Sequence, residues 1–226
     1  MGKTAFASNE LKREAVGPII FLRSRRTVSG TVVVCLIALC LIIMGSDEFA
    51  SPTVASEGVE KIPIWRFLVA ATAIVPALLL HSPFGEIESV RGREVRRFEH
   101  FYLSGLAFTF LVMIVVASTL TSGWQVGLIS GRGFVGWLGI ALISGRIFGW
   151  RLSWCIPSIM MLIFIYWGQI GHGQYYWWEF SARPVADAIS LGLAVSILIV
   201  GSLAYWLDQW RLRVVRSKVR SLGWPA

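Results

Sequence analysis

Hydrolytic chemistry needs a nucleophile and a base, or a bound metal, held within hydrogen-bond reach of one another. Ser144, beside Gly145, stands in an apolar run, but His81, His100 and His172 all fall in stretches that read as loops. A serine nucleophile in one span would need a histidine in a later one, so the pairing fails. His-Glu-x-x-His, paired catalytic aspartates and Gly-x-x-x-x-Gly-Lys-Ser/Thr are absent from the sequence, which removes zinc proteolysis, aspartyl proteolysis and P-loop nucleotide binding. Cys35, Cys40 and Cys155 lie in apolar runs without Cys-x-x-Cys spacing and read as small buried apolar residues. No acid stands at the centre of an apolar run: Asp187 and Asp208 flank the last one and Glu99 precedes the third. That pattern points away from a proton-driven antiporter. Arg66 and Arg146 lie about one turn inside their runs, where a long side chain can reach the interface.

The elements that must position these residues follow from composition. Of 226 residues, 55% are hydrophobic and 15% charged, against roughly 25% charged in soluble domains. Mean hydropathy is +0.66. A soluble enzyme domain, a disordered chain, a coiled coil and a disulfide scaffold are excluded. The fold class expected is all-α, a polytopic membrane protein with six transmembrane helices. A helix needs ~20 apolar residues to cross the ~30 Å hydrocarbon layer, and six stretches qualify: 28–44, 62–80, 101–120, 134–150, 152–170 and 186–207. The fourth is glycine-rich and meets the fifth across Arg151; a hairpin is expected there, because 134–170 is too long for one crossing. Leu-Ile-Ser-Gly-Arg occurs at 128–132 and again at 142–146, too close for a structural repeat.

Net charge is +8. Because the basic residues flank apolar runs, they report orientation and not nucleic-acid binding. With six crossings and both termini cytoplasmic, only Lys61, Arg66, Arg132 and Arg183 of the 21 Lys and Arg lie outside, and 17 lie inside. An odd number of crossings would break this alternation. A cleaved signal peptide is the competing reading of the first run, with Ala50 and Ala55 near a conceivable cleavage site, but its basic region would be unusually long.

The chain divides into a cytoplasmic or interfacial segment over 1–27, a six-helix transmembrane domain over 28–207 and a basic cytoplasmic tail over 208–226. In the first, Leu11, Ala15, Val16, Ile19 and Ile20 recur at helical spacing around Lys12 and Arg13, the pattern of an amphipathic helix lying in the interface. Gly17-Pro18 would kink it, and a frayed tail is the plainer alternative. The charged cytoplasmic loop 81–100 has Ser82 and Pro83 as N-cap and first helical residue, Glu86 and Glu88 near the start, and Arg91, Arg93, Arg96 and Arg97 toward the end. Acids first and bases last suit a helix dipole. Such a helix is either a docking surface for a soluble partner or a solvated connector. Outside, 46–61 reads as a solvated hairpin. Tyr175, Tyr176, Trp177 and Trp178 read as an interface belt or as a partly re-entrant segment closing the outer end of a path.

An interfacial N-terminal helix, six spans with both ends inside and a charged helix after the second span together resemble the membrane subunits of ABC exporters whose permease and ATPase are separate chains. Residues 83–88 (Pro-Phe-Gly-Glu-Ile-Glu), 131–133 (Gly-Arg-Gly) and 154–157 (Trp-Cys-Ile-Pro) are similar to stretches of divergent actinobacterial permease-like proteins. The resemblance implies a coupling helix over 82–97, with Ser82, Pro83, Phe84, Glu86, Ile87, Glu88, Arg91 and Arg93 as the ATPase-facing candidates. It also implies re-entrant structure at 175–180. The function implied is outward movement of a peptide, lipid or drug-like amphipathic substrate across the plasma (inner) membrane of a bacterium. The chain itself would be no enzyme and would bind no cofactor, with ATP on a partner subunit. The partners implied are ABC ATPase subunits, a second permease copy or paralogue, and the lipid bilayer, with no nucleic acid. Short outer loops point away from large protein substrates. An uncharged path is expected to use Thr109 and Ser118 in the third span and Ser158 and Trp167 in the fifth, with Pro76 and Pro157 bending the two spans that face the partner permease. The competing functions are a structural or accessory subunit of a larger membrane complex, or an intramembrane enzyme with an unrecognised site.

Overall fold

A computed structural model of the protein describes residues 27–54, 58–80, 93–171 and 174–206. Residues 1–26 of the segment expected to lie at the interface, most of the charged loop (81–92) and the whole of the expected basic tail (208–226) lie outside them. Among the described residues there are six α-helices: α1 (Thr27–Met44), α2 (Trp65–Leu78), α3 (Arg93–Ser122), α4 (Trp124–Phe148), α5 (Cys155–Trp167) and α6 (Ala188–Trp206). Strands β1 (Glu48–Pro52) and β2 (Val59–Pro63) form an antiparallel hairpin between α1 and α2, as expected for 46–61. Strands β3 (Gln169–Gly171) and β4 (Gln174–Tyr175) form a second, irregular one after α5. The chain is thus mostly helical, with two small hairpins that a purely all-α reading omits.

Helix direction alternates, and hydrogen bonds fix which ends meet. At one end, the Ile64 amide donates to Asp47 O at 3.0 Å, joining the close of α1 to the start of α2. Thr121 Oγ1 donates to Leu41 O at 3.5 Å, which brings the close of α3 beside that of α1. The Val54 amide and Thr53 Oγ1 both donate to Tyr166 O, at 3.0 and 3.2 Å, which adds the close of α5. At the opposite end, Thr27 and Tyr102 share a hydrogen bond of 2.7 Å between the starts of α1 and α3. There His100 stacks on Trp206 and Trp150 meets Tyr205 edge-on, at the end of α6. His100 therefore lies in a helix, not in the loop expected for it.

Five helical stretches are long and apolar enough to cross a membrane: Thr27–Met44, Glu99–Ser122, Trp124–Phe148, Trp150–Trp167 and Ala188–Trp206. This is a helical, multi-pass membrane protein. The helix α2 is apolar but only 14 residues long, about 21 Å, and nine of those residues are buried by its neighbours. The helices α1 and α6 are apolar all round and leave most of that surface bare, as segments facing lipid do. Cys35 and Cys40 lie on this exposed surface and Cys155 is half-buried, so the expectation that all three are buried fails. In a membrane an outward-facing thiol has no water to avoid.

The core is built around α4. Trp137 is fully buried, with its ring 5.3 Å from those of Phe164 and Phe180. Gly139 lets α6 approach so closely that a Cβ there would lie 2.6 Å from Ile197 O, and Gly201 meets the Gly139 backbone from the other side. The expected loop 121–133 is absent. Gly123, at φ 90°, breaks the chain for one residue and α4 begins at Trp124, ten residues before the anticipated 134. Glycines at 127 and 131 depress helix propensity but settle against Thr119 and Val115 of α3. The expected α4–α5 hairpin is present: Gly149, at φ 93°, ends α4 and a one-turn 3-10 helix (Trp150–Leu152) leads to α5. That shift places Pro157 in the first turn of α5, where its missing N–H breaks no helical bond, so it is not an internal kink. Pro76 does stand inside α2.

Candidate functional site

Arg66 opens α2 directly after β2, on a chain segment pinned by the Ile64–Asp47 hydrogen bond. It does not reach out to the interface as expected: the residue is 2% exposed. Its Nη2 donates to Glu179 Oε2 at 2.8 Å and to Ser181 Oγ at 3.3 Å. Glu179 is 0% exposed. It arrives on a turn after β4 that is set by Tyr176 N to Gly168 O and Glu179 N to Tyr176 O, both 3.0 Å. The second carboxylate oxygen, Oε1, accepts from the Ser181 amide at 3.0 Å and its hydroxyl at 2.6 Å. The Tyr175 ring lies 5.6 Å from the Arg66 guanidinium carbon.

This pair fastens the α5–α6 connection into the bundle. Beside it Phe180 is buried in a recess that Gly136 leaves on α4, and its ring meets Trp137 and Phe164. Trp178 packs on Phe164 at 5.3 Å and stacks on Tyr176 at 5.9 Å. Only Tyr176 and Trp177 are strongly exposed, so the aromatic run divides between a belt at 176–177 and an inserted segment at 178–181. Below the insert, Arg132 of α4 donates through Nη1 to Pro184 O at 3.0 Å and through Nη2 to Arg183 O. Arg132 is buried within a helix and not in an outer loop as expected. Arg183 Nε meets Asp187 Oδ2 at 3.0 Å, and Asp187 caps α6 by accepting from the Ser190 amide at 3.2 Å. Partial desolvation opposes the Asp187 charge, but the Ser190 hydrogen bonds and Arg183 outweigh it and hold its carboxyl below the usual range.

Two buried polar side chains of the outer end, Arg66 and Gln169, have polar atoms without hydrogen-bond partners. Arg66 Nε and Nη1 have no hydrogen-bond partner, and neither does either side-chain end of Gln169. Gln169 follows Gly168, whose absent side chain would lie 2.9 Å from Glu179 Oε2. Among the described residues no cluster of three His, Cys, Asp or Glu could hold a metal. Chemically the site holds a charge pair out of water and keeps spare guanidinium donors.

Comparison with known protein families, with curated proteins and with solved structures gives no match.

The other sequence candidates fall elsewhere. Ser82, Pro83, Phe84, Glu86, Ile87, Glu88 and Arg91 lie outside the described residues, and Arg93 is the first residue of α3. Pro76, Ser118 and Pro157 are buried, whereas Thr109, Ser158 and Trp167 are exposed on the bundle surface. Thr109 Oγ1 is spent on Gly105 O at 2.8 Å. The Trp150 ring occupies the space beside Gly145. Ser144 Oγ donates to Leu152 O at 3.0 Å and accepts from the Ile156 amide at 3.3 Å, tying the α4–α5 turn together. The residue that sequence reasoning missed is Glu179. Its signal is Arg66, a lone charge inside an apolar run, which demands a partner of opposite sign.

Proposed function

We propose that the chain is the membrane-spanning subunit of an ABC-type exporter, crossing the plasma membrane six times with both ends in the cytoplasm and driven by ATPase subunits on separate chains. Its cargo is a peptide, lipid or drug-like amphiphile. The observation that carries the proposal is α3. Thirty residues make a helix of about 45 Å, longer than the ~30 Å hydrocarbon layer. Its first turns hold Arg93, Glu94, Arg96, Arg97 and Glu99, so a charged helical end extends beyond the length that the hydrocarbon layer needs. That end is suited to receive a soluble partner. The alternating helix directions support six crossings, with α2 the short one.

Cysteines at Phe84 and Ile87 should cross-link to a co-purifying ATPase, and reversing the charge of Glu86 or Arg93 should lower ATP-dependent transport without affecting insertion. Undiminished transport after replacing Arg91, Arg93, Arg96 and Arg97 together would contradict the coupling role. A second reading, an accessory subunit of a larger membrane complex, would use the apolar faces that α1 and α6 leave exposed. It predicts stable co-purification with membrane proteins and no ATPase.

A further inference from the structure

We infer that Arg66 is an anion-binding residue, and that the part of its guanidinium left unused by Glu179 takes the carboxylate or phosphate of an amphipathic molecule. The substrate class of the proposed exporter is then an anionic amphiphile. The transport role rests on the function proposed above; the binding itself does not.

The pair is unevenly satisfied. A guanidinium carries five N–H donors in a planar fork that matches two oxygens of an oxyanion at once. Arg66 employs one of its three nitrogens, Nη2, and its Nε and Nη1 are buried with no acceptor. Glu179 is better served: Oε2 accepts from Arg66 while Oε1 accepts twice from Ser181. A second anion would therefore supply what Arg66 lacks and leave Glu179 with its Ser181 bonds. The Tyr175 ring faces the guanidinium, its centroid 5.6 Å from Arg66 Cζ, and favours the positive charge there.

The surroundings select the rest of the ligand. Phe180, seated in the space beside Gly136, and Trp178, packed on Phe164, make the neighbourhood of the charge apolar. A small hydrated anion has nothing to place there, whereas an alkyl chain does.

The test uses the full-length protein in phosphatidylcholine nanodiscs, titrated with dodecyl phosphate, dodecanoate, inorganic phosphate and neutral dodecyl maltoside, with tryptophan fluorescence as the readout. Dodecyl phosphate or dodecanoate should give a saturable change that is about tenfold weaker in Arg66→Gln, the scale expected for losing a charge-assisted contact. Arg66→Lys, which keeps charge without the fork, should fall between the two. Arg66→Gln alone strands Glu179, so the Arg66→Gln/Glu179→Gln double variant is measured beside it, with thermal melts reporting its fold. Equal binding by the native protein and the folded double variant would overturn the assignment, as would an equal response to dodecyl maltoside. Saturation by inorganic phosphate at the same concentration would overturn the amphiphile and make this a free-anion site. Absence of an ATPase partner would sink the exporter proposal without altering these titrations.

Discussion

The ring of Phe180 occupies the space that a side chain at Gly136 would need. A connecting segment is thereby locked to the central helix by shape, next to the place where Arg66 and Glu179 lock it by charge.

Replacing Gly136 with Ala should therefore act as overpacking. We expect a loss of about 1–3 kcal/mol in unfolding free energy, read from thermal or denaturant melts in detergent. Gly105→Ala is the control: nothing lies within 4 Å of its new methyl, and a helical Gly→Ala change in open space stabilises by roughly 0.5–1 kcal/mol. Equal melting of the two variants would refute the wedge.

Arg66→Gln and Glu179→Gln should each cost roughly 3–5 kcal/mol, since each strands a buried charge. The double variant should recover most of that, giving a large coupling energy in a double-mutant cycle. Additive losses would mean that the two residues stabilise independently.

Asp187→Ala should cost about 1 kcal/mol by removing the α6 cap, whereas Asp187→Asn keeps a capping oxygen. The folded carboxyl titrates below its unfolded value of about 3.9. Its charge-dependent stability is therefore complete above that pH and disappears as pH falls below it. Melting temperatures followed from pH 6 down to 3 should show an acid-induced drop in the native protein that Asp187→Asn reduces; identical profiles would contradict the account.

Much of this architecture was legible from periodicity and run length, because a membrane leaves few alternatives. Both hairpin turns at 46–61 and 149–154 could be read, the first from its charged composition and the second from chain length. The start of α4 could not. Gly127, Gly131 and Gly133 look like loop residues until Thr119 and Val115 are seen to fill the space beside the first two. The buried site was hidden for a related reason. Glu179 belongs to a segment whose aromatic neighbours suit an exposed belt equally well, and only tertiary packing separates Trp177, left outside, from Phe180, taken inside. Pro157 was misplaced because the 3-10 turn at Trp150–Leu152 delays the helix by three residues.

Six alternating crossings are what the exporter proposal requires first, and reporter fusions test them most directly. A reporter active only outside the membrane should work when fused after Ser56 or Gly173, and stay silent after Gly92 or Ser217. External activity at Gly92, or silence at Gly173 with a stably inserted fusion, would contradict the topology.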